Sequence, residues 1–228
     1  MVTEPLAQEP LTGVMDWLLD AAPEVRDLEL GAGGYAPTGH CETPILLRDA
    51  TARRSWQREI QSRGLRLAAL NAWGNPLHPD QDVAARHDAD LRDTIRLAAD
   101  LGVDRVVALA GCPPGASGDR VPHFAAGGWL PYLEGVHETQ WQERVLPYWS
   151  GLADFARTEH PGLLICLELH PGTAVYNVES FERVAALGES IAANLDPSHC
   201  FWMGMDPVAV VARLGERVGH CHGKDVLF

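Results

Sequence analysis

Three short apolar segments of this chain each end in a side chain that binds divalent metals. The segments are residues 163–168, 191–196 and 218–222, and their final residues are Glu168, Asp196 and His222. Carboxylate oxygen and imidazole nitrogen are ligands that Mn, Mg, Co and Zn all accept. The three residues therefore predict a shared metal site, provided that the fold brings the segment ends together.

The spacing of these residues predicts how they would meet. Each one precedes the next by slightly less than the roughly 30 residues that one strand-and-helix unit of a (β/α)₈ barrel uses. The strands of such a barrel end on one rim, so that residues far apart in the sequence can share a cavity there. A single polar residue at a strand end more often has no function, but three at matching positions favour a site.

Polar residues just after these positions extend the predicted site. His170 and Lys224 each follow a candidate ligand by two residues, which places them on the same strand face. His199 follows Asp196 by three residues, behind a turn that Pro197 restricts. We predict that His199 is a ligand, a proton carrier or a substrate contact, that Lys224 holds a substrate oxygen, and that His170 either contacts substrate or faces solvent.

Helical and strand patterns alternate along the chain, which is typical of a parallel sheet with crossover helices. The predicted strands are residues 25–30, 65–71, 103–110, 163–168, 191–196 and 217–222. The predicted helices are residues 14–22, 50–62, 86–101, 137–158, 178–187 and 207–214. Pro147 lacks the amide hydrogen that a helix interior needs, so we expect a kink there.

The pattern contains six strands, whereas a TIM (β/α)₈ barrel has eight and usually about 250 residues. No strand pattern precedes the first helix, and the chain stops six residues after His222. We therefore expect one incomplete TIM-barrel domain over residues 1–228 that lacks the first and eighth strands. An open or swapped sheet is the alternative.

Composition argues against several classes of partner. The 228 residues include 31 acidic and 18 basic side chains, a formal net charge of −13, which repels nucleic acids and anionic membranes. No apolar run approaches the ~20 residues of a membrane span, and the N-terminus does not resemble a signal peptide. The five cysteines include no CxxC pair, which suits reduced thiols and a cytoplasmic location.

Two further regions are candidates for substrate contact. The stretch 111–134 is rich in glycine and proline and contains Trp129. It predicts a lid or pocket wall that stacks on substrate, and the alternatives are an oligomer contact or a mobile excursion. His78 lies between two prolines after the second predicted strand, where it either lines the rim or is an exposed loop residue. The segment 31–36 fits a dinucleotide-binding glycine pattern, but Pro37 follows where that fold needs a helix.

Several segments resemble the sugar phosphate isomerase/epimerase family, the xylose-isomerase-like TIM barrels. The most specific are residues 167–172 (LELHPG), 194–199 (NLDPSH) and 220–225 (HCHGKD). Weaker matches are residues 28–31, 33–35, 74–79 and 110–113. The resemblance covers the chain from about residue 14 to its end.

The resemblance implies a divalent metal, held by Glu168, Asp196, His222 and a glutamate from the last strand. In the family, the paired glutamates also move protons, and the residues that match His199 and Lys224 contact substrate. The last-strand glutamate is missing from this sequence. We therefore expect weak metal binding or an inactive chain if no other residue replaces it.

These observations leave several functions open. The leading one is a metal-dependent isomerase or epimerase of a small sugar, sugar phosphate or cyclitol that works through an enediolate-type proton transfer. The alternative is a metal-dependent lyase or dehydratase of a keto-sugar or inosose. An abasic-site endonuclease would share the barrel, but the acidic charge disfavours it. An inactive fragment and a homo-oligomer are both compatible with the sequence.

Overall fold

Six parallel strands alternate with helices along the chain. The computed structural model describes residues 1–126 and 130–224. Its strands are β1 (Asp27–Gly31), β2 (Arg66–Asn71), β3 (Arg105–Ala108), β4 (Leu164–Glu168), β5 (Ile191–Leu195) and β6 (Val218–Cys221). Each strand pairs with the next in sequence order. All five pairings are parallel. Parallel strands in sequence order are the arrangement of a TIM barrel, which confirms the predicted fold class.

The helices lie between the strands in sequence. They are α1 (Leu11–Ala21), α2 (Thr43–Arg48), α3 (Ala50–Ser62), α4 (Gln81–Leu101), α5 (Pro131–Gln140), α6 (Leu146–Glu159), α7 (Val178–Ala185), α8 (Pro197–Trp202) and α9 (Pro207–Leu214). Short 3₁₀ turns cover Glu4–Leu6 and Gly215–Arg217. Sequence analysis missed α2 and α8, because a helix of six residues is too short for an apolar periodicity to stand out.

The long predicted helix is interrupted before Pro147. A π-helical segment, Trp141–Val145, joins α5 to α6. There the amide of Leu146 donates to the carbonyl of Trp141, five residues back. Pro147 follows in the first turn of α6, where its missing amide hydrogen costs little. The irregularity expected at the proline therefore lies on its N-terminal side.

The sheet has a different core on each of its faces. Large apolar side chains, including Trp149 and Phe181, fill the layer between sheet and helices. The inner face carries the small cluster Ala69, Val107, Cys166 and Ala192. Towards the C-terminal strand ends this inner face becomes polar, because Glu168, Asn194 and His220 are register partners across β4, β5 and β6.

The barrel is incomplete, as predicted. In the hydrogen-bonded order of the described strands, β1 and β6 form the two ends. Residues before α1 add a single parallel bridge, from Val2 to Glu29, with the amide of Thr3 donating to the Glu29 carbonyl at 3.1 Å.

Among the described helices, none has both the length and the apolar character that crossing a bilayer requires.

Candidate metal centre

The side chains of Glu168, Asp196 and His222 meet at the C-terminal ends of their strands. Glu168 is the last residue of β4, Asp196 follows β5 and His222 follows β6. One ligand atom from each lies within 4.8 Å of the other two, and His222 Nδ1 is 3.7 Å from Glu168 Oε2. The two carboxylates are 1% exposed and the imidazole 8%. The structure thus brings together the three residues that the sequence predicts as ligands.

The start of α8 holds Asp196 in place. Asp196 is the N-cap of this helix, and its Oδ1 accepts the amide hydrogen of Ser198 at 2.8 Å. Oδ2 is buried and lies 2.8 Å from Lys224 Nζ. Burial alone would raise the pKa of Asp196, but the hydrogen bonds from Lys224 and Ser198 outweigh burial and lower it. The carboxylate is therefore ionised and available to a cation.

Two further histidines lie beside this carboxylate pair. His199 Nε2 is 2.8 Å from Glu168 Oε1 and 3.6 Å from Asp196 Oδ2. The ring of His170 packs edge-on against that of His199, with 4.2 Å between centroids. Its Nδ1 donates to the Pro171 carbonyl at 2.7 Å, and burial lowers the pKa of His170. A neutral imidazole therefore lies next to the one that contacts Glu168.

The remaining predicted substrate contacts differ in position. Lys224 reaches Asp196 while its side chain stays 55% exposed. His78 lies in the loop before α4, where its Nδ1 accepts the amide hydrogen of Asp80 at 2.9 Å. His78 is absent from the described lining of the large cavity beside the site, as are His170 and His199. Trp129 lies outside the described residues.

Glu29 is the main site residue that sequence analysis missed. It lies in β1, is 3% exposed, and its carboxylate accepts hydrogen bonds from His220 Nε2 at 2.7 Å and His222 Nε2 at 2.9 Å. Burial raises the pKa of Glu29, but the hydrogen bonds that it accepts outweigh burial and lower the pKa from 4.5 to about 2. The sequence signal that could have identified Glu29 is an acidic residue between Leu28 and Leu30, inside an apolar strand.

His222 is the link between two carboxylates. Burial opposes its protonation, but Glu29, Glu168 and then Asp196 together raise its pKa above 6.5. Glu29 and His220 also form a second group with His222 whose ligand atoms lie within 4.8 Å of one another. The imidazole therefore lies between two sets of acidic oxygens.

A cavity of about 1020 Å³ opens onto Asp196, His222 and Lys224, and Glu29 and Trp73 also line it. Glu168 is not among the described residues of its lining. The cavity continues along β1 and β6 to the starts of β2 and β3. A ligand of the size of a sugar has room to reach Asp196 and His222.

The donor set fits a divalent cation. Two buried carboxylates and one imidazole match the oxygen and nitrogen ligands of Mn, Mg, Co or Zn. Asn194 Nδ2 lies between them, 3.3 Å from Glu168 Oε2 and 3.2 Å from His222 Nδ1. Asn194 Oδ1 is buried and has no hydrogen-bond partner among the described residues. This unpaired oxygen belongs to an amide whose nitrogen lies beside two of the ligand side chains, and an unpaired buried oxygen is a group that a cation would pair with.

Comparisons with known proteins agree with this architecture. The chain is 34% identical to YfiH of Bacillus subtilis (strain 168), over 99% of this chain and 72% of YfiH. It resembles the solved structure of the probable 3-DHS dehydratase AsbF of Bacillus anthracis, with a TM-score of 0.68, 14% identity, and coverage of 97% of this chain and 71% of AsbF.

A second solved structure is a sugar epimerase. It is the 3-keto-D-glucoside 4-epimerase YcjR of E. coli, with a TM-score of 0.63, 12% identity, and coverage of 94% of this chain and 73% of YcjR. The family described as "Xylose isomerase-like TIM barrel" matches residues 28–228. The chain therefore belongs to the xylose isomerase-like TIM barrel family, as its motifs predict.

Proposed function

We propose that this chain is a metal-dependent isomerase or epimerase of a small sugar, sugar phosphate or cyclitol. The convergence of ligand atoms from Glu168, Asp196 and His222 within 4.8 Å of one another carries the proposal. These three residues would hold the divalent metal. When bound, the metal supplies a positive charge that polarises a substrate carbonyl and its neighbouring hydroxyl.

Each remaining polar side chain has a role in this proposal. Glu168 takes the proton from the carbon beside the carbonyl, and His199, 2.8 Å from its Oε1, keeps the carboxylate oriented and contacts substrate. The Lys224 ammonium, already beside Asp196, holds a substrate oxygen and offsets negative charge as it develops. His170 contacts the substrate next to His199. In an isomerisation, Glu168 returns its proton to the neighbouring carbon; in an epimerisation, water delivers a proton to the opposite face and Glu168 releases its own to solvent.

A dehydratase or lyase acting on a keto-sugar or inosose is the second candidate. Removal of the same proton can be followed by loss of a β-hydroxyl, which needs a proton donor for the leaving oxygen. His199, whose Nε2 lies 2.8 Å from Glu168 Oε1, would be this donor beside the base. AsbF, a probable dehydratase, shares the fold.

Solvent exchange and product mass test both candidates. The purified chain with Mn²⁺ would be incubated in D₂O with a panel of ketoses, their phosphates and keto-cyclitols. An isomerase or epimerase yields products of substrate composition with deuterium at the reacting carbon, whereas a dehydratase yields products lighter by one water. Glu168→Gln is the matched control and should abolish either outcome. A metal-loaded chain that exchanges no deuterium and forms no product would contradict the proposal.

We also propose that residues 1–228 act as one domain in the cytoplasm. All five cysteines are free thiols in the structure, which suits a reducing compartment. Limited proteolysis followed by mass spectrometry would test the domain proposal, since two domains would separate into stable fragments.

A further inference from the structure

The two ring nitrogens of His222 face different carboxylates. Nε2 lies 2.9 Å from Glu29 Oε2 and 3.2 Å from Glu29 Oε1, whereas Nδ1 lies 3.7 Å from Glu168 Oε2. A neutral imidazole carries one hydrogen, so one nitrogen donates while the other offers a lone pair. The partner of Nε2 therefore determines whether Nδ1 can bind a cation.

Glu29 is anchored independently of His222. The amide of Trp73 donates to Asn71 Oδ1 at 3.0 Å, which fixes the orientation of the Asn71 side chain. Asn71 Nδ2 then donates to Glu29 Oε1 at 2.7 Å. The Glu29 carboxylate is buried in β1 and held in one position before His222 is considered.

We propose that Glu29 is a positioning residue that prepares His222 to bind the metal. By accepting the Nε2 hydrogen, Glu29 selects the tautomer whose Nδ1 lone pair points towards Glu168 and Asp196. Histidine ligands of metals commonly donate their other N–H to a carboxylate, which fixes the ring and strengthens the ligand. The inference rests on the metal site of the proposed function and adds a residue from the opposite end of the sheet.

The contacts around Asn194 fit this tautomer. Asn194 Nδ2 lies 3.2 Å from His222 Nδ1, and an amide N–H next to this nitrogen needs a lone pair to accept it. The same Nδ2 lies 3.3 Å from Glu168 Oε2. In the metal-free chain the amide N–H therefore bridges the two side chains, and it must turn away when a cation contacts both.

A competing arrangement uses the same residues differently. Glu29, His220 and His222 could bind a metal themselves, since their ligand atoms also lie within 4.8 Å. The contacts of Glu29 argue against this arrangement, because its oxygens already lie at hydrogen-bond distance from His220, His222 and Asn71. A cation there would require both imidazoles to turn a lone pair towards Glu29, and would leave Glu168 and Asp196 without it.

Mn²⁺ titration of variants separates these arrangements. Glu29→Gln keeps the size of the side chain but loses the charge, and we expect it to weaken Mn²⁺ binding by roughly 10- to 100-fold. Glu29→Asp, which keeps a carboxylate, should recover part of the affinity. His220→Ala leaves the proposed ligand set intact, so it should still bind one Mn²⁺ with an affinity close to that of the parent.

The tautomer of His222 is a second readout that does not depend on the metal. In ¹⁵N NMR of the metal-free chain, above the pH at which His222 loses its proton, the parent should show the hydrogen on Nε2. Glu29→Gln should shift population to the Nδ1–H form. A general loss of stability would not produce this change in a folded variant.

The outcomes distinguish the two proposals. Unchanged Mn²⁺ affinity and an unchanged tautomer in Glu29→Gln would overturn the positioning role while leaving the metal site intact. If His220→Ala lost Mn²⁺ binding while Asp196→Asn retained it, the metal would be bound by Glu29, His220 and His222. This result would also overturn the positioning role of Glu29. A parent chain that binds no Mn²⁺ would instead remove the basis of the proposed function.

Discussion

At the scale of single residues, the site depends on how its buried acids are balanced by positive charge. The Lys224 ammonium lies 2.8 Å from Asp196 Oδ2, a buried oxygen. In the metal-free chain, Lys224 therefore occupies part of the space in which a metal would find its ligand. Lysine and metal compete for Asp196 unless the flexible side chain moves away.

Lys224→Met should therefore tighten metal binding. Removing the competing ammonium should lower the Kd for Mn²⁺ by about two- to fivefold. The Lys224 side chain is 55% exposed, and solvent screening limits an ion pair of this kind to roughly 0.5–1 kcal/mol. Lys224→Arg retains the charge and serves as the control. Isothermal titration calorimetry gives the affinities, and an equal or weaker affinity in Lys224→Met would contradict the competition.

The pairing of Glu29 with His222 predicts a pH-dependent stability. The pKa of Glu29 falls from 4.5 to about 2 on folding. The contribution of Glu29 to the free energy of unfolding is therefore complete above pH 4.5 and is lost as the pH falls towards 2. The pKa of His222 is raised above 6.5, so the charged pair contributes fully below 6.5 and weakens as the pH rises further. Urea unfolding in EDTA should show the largest parent-minus-Glu29→Gln difference between pH 4.5 and 6.5. A difference that stays constant from pH 3 to 8 would argue against the pairing.

Residue types and spacing predicted that three particular side chains lie close together at the strand ends. Glu168, Asp196 and His222 each end an apolar run, and parallel strands bring such ends together. Glu29 and His220 were not predicted as site residues, because their contact joins residues 191 positions apart. This contact depends on the curvature of the sheet, which no local sequence pattern encodes. The functional roles of all these residues stay predictions.

At the scale of elements, β6 packs unusually close to its neighbours. A Cβ atom added to Gly219 would lie 2.7 Å from Ala192 Cβ and 3.1 Å from Cys166 Sγ. Gly219 also lies at the register shift between β5 and β6. The missing side chain allows β6 to approach the inner face and to place His220 and His222 over it.

Gly219→Ala should therefore destabilise the fold. Overpacking by one methyl group costs about 1–3 kcal/mol, which urea unfolding monitored by circular dichroism would detect. Gly13→Ala is the matched control, because no atom lies within 4 Å of its added Cβ in α1. The control should be neutral or more stable by up to about 1 kcal/mol, and equal effects of the two substitutions would count against the close packing.

Elements with a strong periodic pattern were predicted well. The bounds of α3 and α9 agree with the prediction, and all six strands are present. The missed helix α8 matters most, because its N-cap is Asp196 and it carries His199. Its six residues follow Asp196 directly, and the Pro197 turn pointed to a loop rather than to a helix start.

At the scale of the whole molecule, the burial of the cysteines reports on the fold. Cys41, Cys112, Cys166 and Cys200 are buried, whereas Cys221 is exposed. Burial raises the pKa of Cys41 and Cys166 to about 12 and that of Cys112 to about 11. Few thiolates are therefore available from the core at ordinary pH.

Thiol titration should separate these two classes. With Ellman's reagent at pH 8, the native chain should react quickly at one thiol, Cys221. The unfolded chain in denaturant should react at all five thiols. Cys221→Ser should remove the fast phase and leave the denatured total one lower. Rapid reaction of several thiols in the native state would show that the inner and outer cores are not packed as described.

The whole-molecule claim is that strands distant in sequence place Glu168, Asp196 and His222 around one cation. Titration of the metal-free chain with Mn²⁺, followed by electron paramagnetic resonance of the free ion, tests this claim most directly. The account predicts one bound ion per chain at this site, with binding weakened at least tenfold in Glu168→Gln, Asp196→Asn and His222→Ala alike. Binding that survives unchanged in all three variants, or no binding by the parent, would contradict it.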